Sequence, residues 1–190
     1  MKIIGIDYSL TSPAITLYNG NDNWNYNTGS CTHFCLVHNE RQRSKWAKIR
    51  SVKTDIYPAW ETDLQRYHGL ANWVINCCIT AISPERPKAY IEDYAYAATG
   101  RIFHIAENMA ILKDTLTKWG IKYEMIAPTV IKKYATTKGN ANKEKMYDAF
   151  TDETNRNLLD EFNIKLNNPI TDIVDSYYIA KYGHTYGNNT

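Results

Sequence analysis

Two carboxylates near the C-terminus, Asp172 and Asp175, lie three residues apart in the run Ile170-Thr171-Asp172-Ile173-Val174-Asp175-Ser176-Tyr177-Tyr178. On a helix that spacing puts both on one face, about 5–6 Å apart at Cβ, while Ile173, Val174, Tyr177 and Tyr178 pack another. Side by side the two acids repel. A divalent cation would remove the repulsion, and hard oxygen ligands suit Mg²⁺ or Mn²⁺. Alone, the pair reads more simply as first-turn acids complementing a helix dipole. Two further acids change that reading. Asp7 ends the apolar run Ile3-Ile4-Gly5-Ile6, and Glu92 ends Ala89-Tyr90-Ile91. If those runs are neighbouring parallel strands, four carboxylates converge, a costly arrangement without cations. A pair of Mg²⁺ ions about 3.5–4 Å apart would hold them and support phosphodiester hydrolysis: one ion lowers the pKa of the attacking water, the other stabilises the leaving oxygen. Glu92 and Asp93 cannot both point inward from a strand. Glu92, on the same face as Tyr90, is the expected ligand.

The elements that would carry these acids follow from periodicity. Residues 2–7, 14–20 and 32–38 read as three strands of an antiparallel meander, with Asn19-Gly20 as a turn signal. Helical spacing of Leu64, Tyr67, Leu70, Ala71, Val74, Ile75 and Cys78 predicts a long helix over 58–82. Residues 88–92 form a short buried strand, 101–119 a helix stopped at Gly120, and 121–126 a fifth strand. Short helices over 128–134 and 143–152 precede the final helix after Pro169. The order βββαβαβα predicts an α/β fold: a mixed five-stranded sheet flanked by helices, in one domain spanning 1–190. Ligands in such sheets sit at strand ends.

Net charge is only +2, so a nucleic-acid partner has to be argued from charge distribution. Residues 39–57 stand out as a basic insertion. Arg41, Arg43, Lys45, Lys48, Arg50 and Lys53 crowd around Trp46, which suits either a solvated loop or a phosphate-binding arm. A second basic group, Lys132, Lys133, Lys138, Lys143 and Lys145, surrounds Gly139 and favours phosphate contacts. Among 15 tyrosines, Tyr94 and Tyr96 follow Glu92 closely and suit either core packing or base stacking. Arg101, at a helix start, suits a phosphate or a carboxylate. Cys31, Cys35, Cys77 and Cys78 lack metal-ligand spacing and read as reduced, buried thiols. The N-terminal run reads as a strand and not as a signal peptide, and no apolar stretch reaches the ~18–20 residues that span a bilayer. The expected setting is a reducing cytoplasm.

The segments Ile3-Ile4-Gly5-Ile6-Asp7-Tyr8-Ser9-Leu10, Tyr90-Ile91-Glu92-Asp93-Tyr94 and Asp172-Ile173-Val174-Asp175-Ser176 resemble the RuvC family of Holliday junction resolvases, within the ribonuclease H-like superfamily. So does Ala127-Pro128-Thr129-Val130-Ile131-Lys132-Lys133 followed by Gly139-Asn140-Ala141-Asn142-Lys143, which looks most like the phage-encoded branch. The resemblance covers nearly the whole length, in order. It implies a homodimer that binds a four-way DNA junction and nicks two strands with two Mg²⁺ ions per site, Mn²⁺ substituting. For a phage-encoded protein the setting is the bacterial host's cytoplasm. Position by position, Asp7, Glu92, Asp172 and Asp175 resemble the metal ligands, and Lys132 and Lys143 the lysines near the scissile phosphate. Lys133, Lys138, Asn140 and Lys145 are then DNA contacts. Two departures stand out. The basic segment is longer than in bacterial enzymes, and the aromatic wedge after the second acid has no Phe at the matching spacing, Tyr94 and Tyr96 being nearest. Flap or RNA–DNA hybrid substrates remain open. Gly5-Ile6-Asp7-Tyr8-Ser9 also resembles the first phosphate loop of actin-like nucleotide-binding proteins, and a DNA-binding module without catalysis is a further alternative.

Overall fold

Strands β1 (Ile3–Asp7), β2 (Ala14–Tyr18) and β3 (Cys31–Val37) form the antiparallel meander that the sequence predicts, Gly5 pairing with Thr16 and Thr16 with His33. The computed structural model describes residues 2–20, 23–26, 30–79, 86–94 and 102–187. Within the basic insertion it differs from the expectation of a loop or arm. Helix α1 (Glu40–Trp46) is capped by Asn39, whose side chain accepts the Gln42 N–H. Strand β4 (Val52–Ile56) then joins the sheet parallel to β3. The sheet therefore has six strands and not five. The cause is visible in the residues: Val52 and Thr54 are buried while Lys53 and Asp55 are exposed, the period-2 pattern of an edge strand.

Helix α2 (Asp63–Cys78) starts five residues later than expected, because Thr62 caps it by accepting the Gln65 N–H. Leu64 lies outside the core, 59% exposed. Strand β5 (Lys88–Glu92) runs parallel to β1, and β6 (Tyr123–Ile126) parallel to β5. Between them is α3 (Ile102–Lys118), followed by Gly120 at φ +64°. Helices α4 (Pro128–Thr136), α5 (Lys143–Thr154), α6 (Leu158–Phe162) and α7 (Ile170–Tyr186) complete the chain. The sheet order is β4-β3-β2-β1-β5-β6.

Two apolar layers cover the sheet. Ile4, Ile6, Ile15, Ala89 and Ile91 pack against Leu70, Val74, Leu112 and Leu116 of α2 and α3. On the other face Ile3, Ala14, Tyr18 and Tyr90 pack against Ile173, Val174 and Tyr177 of α7 and Phe150 of α5. Strand β1 is buried on both faces, which accounts for its unbroken apolar run. Alternation along β1 and β5 puts Gly5 and Asp7 on the α7 face with Tyr90 and Glu92.

Helix α7 crosses β1 at Gly5. A Cβ there would lie 2.2 Å from the Ser176 carbonyl oxygen and 2.4 Å from the Ala180 nitrogen, both backbone atoms that cannot swing aside. Gly5→Ala should push α7 off the sheet. By the usual cost of overpacking it should lower unfolding free energy by about 1–3 kcal/mol, read from urea denaturation. An unchanged midpoint would mean that α7 does not rest on this contact.

Candidate active site

Parallel pairing of β1 with β5 sets Ile6 beside Ile91. Asp7 and Glu92, one residue on, are thus neighbours at the C-terminal ends of adjacent strands. Helix α7 brings Asp172 and Asp175 over the same ends. Charge links the four. Burial raises the Asp7 carboxyl well above its ordinary range, and the charges of Asp172, Asp175 and Glu92 raise it further. Asp175 is pushed up to about 7, first by burial, then by Glu92 and Asp172. Burial also raises Asp172 and Glu92. Lys143 offsets the shift at Asp7, Asp172 and Asp175, and Lys132 at Glu92 and Asp175. The structure thus brings together six residues from β1, β5, α4, α5 and α7, the six the sequence singles out for chemistry.

The two acids of α7 are not equivalent. Asp172 is buried and held: its Oδ2 accepts from Ser12 Oγ at 2.5 Å, and its Oδ1 lies 3.3 Å from Thr171 Oγ1. Thr171 in turn lies 2.8 Å from Asn168 Oδ1 and accepts from Lys143 Nζ at 3.4 Å. Ser12 and Thr171 escape the sequence reading because a single hydroxyl in a turn or a first helical turn is too common to stand out. Asp93 lines the same cavity as Asp7 and Glu92, its Oδ1 accepting its neighbour's N–H from Tyr94 at 2.8 Å.

The expected nucleic-acid contacts separate into groups. Lys133, Lys138, Asn140 and Lys145 are exposed around the α4–α5 connection, beside the acids' own lysines. Arg41, Lys45, Lys48 and Arg50 are exposed on α1 and the turn after it, whereas Arg43 is paired to Glu40 at 3.0 Å. Trp46 is buried, its indole N–H donating to the Phe162 carbonyl at 3.1 Å, so it anchors α1 and has no free face for a base. Tyr94 is half-buried with Lys113 Nζ 5.2 Å from its ring centroid. Tyr96 and Arg101 lie outside the described residues. The four cysteines are free and buried, burial pushing the Cys31 and Cys78 thiols up to about 12. Among the described residues no helix is long and apolar enough to cross a membrane.

Four carboxylates with a hydroxyl beside them form a hard-oxygen donor set that suits Mg²⁺, and their mutual repulsion is what a divalent ion relieves. As they stand, no three His, Cys, Asp or Glu side chains among the described residues meet around one point closely enough to hold an ion.

The repulsion gives a test with a defined sign. Asp175 has a folded pKa of about 7 against an ordinary 3.8. Its contribution to stability is full below 3.8 and lost as pH rises through 7. Without divalent ions, Asp175→Asn should melt above the wild type at pH 8 by several degrees, since about 1 kcal/mol moves the midpoint of such a chain by about 2–4 °C. The gap should close towards pH 4. A gap independent of pH in circular-dichroism melts would remove Asp175 from the charged cluster.

No protein-family sequence model matches the chain, and no curated protein matches it by sequence. Solved structures do match in fold. Thermus thermophilus RuvC in complex with a Holliday junction substrate superposes with a TM-score of 0.63 at 15% identity, over 100% of this chain and 96% of that one. The yeast mitochondrial Holliday junction resolvase Ydc2 gives 0.52 at 14%, over 98% and 82%. Fowlpox virus resolvase with Holliday junction DNA gives 0.50 at 12%, over 97% of each chain. With its mixed sheet and flanking helices, this chain has the fold of RuvC.

Proposed function

We propose that the protein is a metal-dependent endodeoxyribonuclease that cuts branched DNA, the four-way junction first. The observation that carries this reading is the convergence of Asp7 and Glu92, on neighbouring strand ends, with Asp172 and Asp175 of the helix crossing β1. Asp7, Glu92, Asp172 and Asp175 would hold two Mg²⁺ ions, with Mn²⁺ able to replace them. When bound, the pair supplies an activated water and neutralises charge on the leaving oxygen. Lys132 and Lys143 set positive charge beside the acids, where a scissile phosphate must come to rest against four negative groups. Ser12 and Thr171 fix the Asp172 carboxylate, so its orientation is set before substrate arrives. Lys133, Lys138, Asn140 and Lys145 on one side, with Arg41, Lys45, Lys48 and Arg50 on the other, would track the phosphate backbone without reading sequence.

Two symmetric nicks need two sites related by a two-fold axis, and hence a homodimer. A surface suited to it is present. The N-terminal ends of α2 and α3 adjoin: His104 Nδ1 lies 2.7 Å from Tyr67 OH and 3.4 Å from Asp63 Oδ2. Leu64, Ile102 and Phe103 are exposed there, Phe103 by 80%.

Incubated with a synthetic four-way junction and Mg²⁺, the protein should cut paired strands. Asp7→Asn should lower the rate by several orders of magnitude while leaving junction binding intact. Reversing the charges of Arg41, Lys48 and Arg50 should weaken binding and flatten its salt dependence. Flap, duplex and hybrid substrates run beside the junction define the substrate range. Absence of cleavage of every branched substrate in Mg²⁺ and Mn²⁺ would falsify the proposal.

By light scattering the wild type should have twice the 21.9 kDa chain mass. Phe103→Glu should shift it to the monomer and uncouple the two nicks. A dimer undisturbed by that change would move the interface elsewhere.

A further inference from the structure

The turn between β1 and β2 borders the acids on two sides. Tyr8, Ser9, Leu10 and Thr11 line a cavity together with Asp7 and Glu92. Ser12 closes the turn on itself, its N–H donating to Ser9 Oγ at 2.8 Å, and its own hydroxyl donates to Asp172 Oδ2 at 2.5 Å. Where the turn sits therefore decides where the hydroxyl that orients Asp172 sits.

A hold on this turn comes from outside β1 and β2. Tyr57, the residue after β4, donates its phenol O–H to the Leu10 carbonyl at 2.5 Å. Leu10 lies inside the ring that Ser9 and Ser12 close, and among the described residues its carbonyl has no backbone partner. Tyr57 is fixed from behind. Its N–H donates to the Val37 carbonyl at 2.7 Å, one residue past the last β3–β4 pair, Val37 with Ile56. Its ring packs on the α2 side of the sheet and meets Trp60 edge-on, 6.5 Å between centroids. Burial raises the phenol's pKa, and the Arg66 guanidinium on α2 partly offsets that. Strand register brings the side chain to the right end of the sheet. Asp7 pairs with Ala14, Ala14 with Cys35 and Cys35 with Thr54, so the chain leaving β4 emerges at the end where Asp7 lies. A phenylalanine ring would serve the packing equally well. The hydroxyl serves the Leu10 carbonyl.

Resting on the metal-dependent nuclease reading above, we propose that Tyr57 is a positioning residue for the acids. It holds the β1–β2 turn so that Ser12 keeps the Asp172 carboxylate turned for a cation. The basic segment 39–57 then ends in a strut of the site and is more than a carrier of charge. Groups that hold a ligand's orientation govern metal affinity, because a carboxylate free to rotate must be ordered when the ion binds. The effect belongs to metal binding and disappears once the metal is bound.

The test measures Mn²⁺ binding to the DNA-free protein by electron paramagnetic resonance of the free ion, junction binding in EDTA, and junction cleavage across a range of Mg²⁺ concentrations. Tyr57→Phe removes one oxygen and keeps the ring. It should weaken Mn²⁺ binding about tenfold, the low end of what such supporting groups contribute. It should raise the Mg²⁺ concentration for half-maximal cleavage by the same factor. The rate at saturating Mg²⁺ and the junction affinity should match the wild type, and the melting temperature should fall by no more than about 4 °C, the loss of one hydrogen bond. A merely structural role would lower the melting temperature and leave Mn²⁺ affinity alone. Ser12→Ala should weaken Mn²⁺ binding at least as much, and the double variant should be no weaker than Ser12→Ala, because the two residues act in series. Wild-type Mn²⁺ affinity in Tyr57→Phe, or a double variant whose loss is the product of the two single losses, would overturn the role. Cleavage by a wild type that binds no Mn²⁺ before DNA would overturn it as well and leave the nuclease reading standing. Mn²⁺ binding that weakens as expected, in a protein that cuts no branched DNA, would leave Tyr57 in its role and sink the nuclease reading alone.

Discussion

Helix α7 can lie against β1 only because position 5 has no side chain, and the depth of that contact sets the reach of Asp172 and Asp175. Gly183 repeats the device further along, where a Cβ would lie 2.1 Å from the Tyr90 ring. Rotation of the helix is fixed by a buried polar chain. Ser176 Oγ donates to the Ile173 carbonyl, so its contact with Thr16 Oγ1 at 2.9 Å has Thr16 as donor. Thr16 then accepts from His33 Nδ1 at 2.8 Å, which leaves Nε2 as the acceptor for Tyr26 OH at 2.9 Å. Arg156 donates to Tyr26 and begins the chain. Counting protons fixes every direction from a permanently charged guanidinium to the carbonyl of Ile173, one residue beyond Asp172. The chain requires a neutral His33, and burial keeps it so, lowering its pKa to about 3.

These constraints hold a site that on its own would push apart. Buried carboxylates of like sign destabilise the folded state, and Lys132 and Lys143 compensate only in part. What holds them is apolar burial on the same helix. Ile173, Val174, Tyr177, Tyr178 and Ile179 are each no more than 1% exposed, and full burial of a large apolar side chain is worth about 1.5–3 kcal/mol. The acids can therefore be poorly placed for stability and still be held close together, a trade of stability for local charge common at reactive sites.

Much of this was legible in the residues, and the reasons for the rest are specific. Asp7 and Glu92 could be read because strands buried on both faces give unbroken apolar runs, and a lone acid at the end of such a run stands out. Asp172 and Asp175 could be read from helical spacing. Strand β4 was hidden because its alternation, Val52-Lys53-Thr54-Asp55-Ile56, has a Thr on its inner face and lies in a charged stretch whose composition dominates. Trp46 sits among cations in a stretch that suits a solvated loop or a phosphate-binding arm, and its anchoring role is invisible there because its partner, the Phe162 carbonyl, is 116 positions away. Ser12 and Gly5 matter through contacts with α7 that no local pattern encodes.

The structured insertion changes what its charges can do. A loop of cations would follow the phosphate backbone wherever it went. Helix α1 cannot, because Trp46 ties it to α6 and β4 ties it to the sheet. Its cations are spread along the sheet: Arg41 follows β3 at the end where Asp7 lies, whereas Lys48 and Arg50 precede β4, whose first residue pairs with His33 towards the opposite end. Strand β4 is three strands from β1, about 14 Å across the sheet at about 4.8 Å per strand, and Lys48 and Arg50 are further from the acids along the strand axis as well. Of the insertion's cations Arg41 thus lies nearest the acids' end of the sheet, while the lysines around the α4–α5 connection lie beside the acids themselves. Cations mounted on a helix that cannot swing constrain the direction from which a phosphate backbone can approach, where a mobile loop would adapt to any direction.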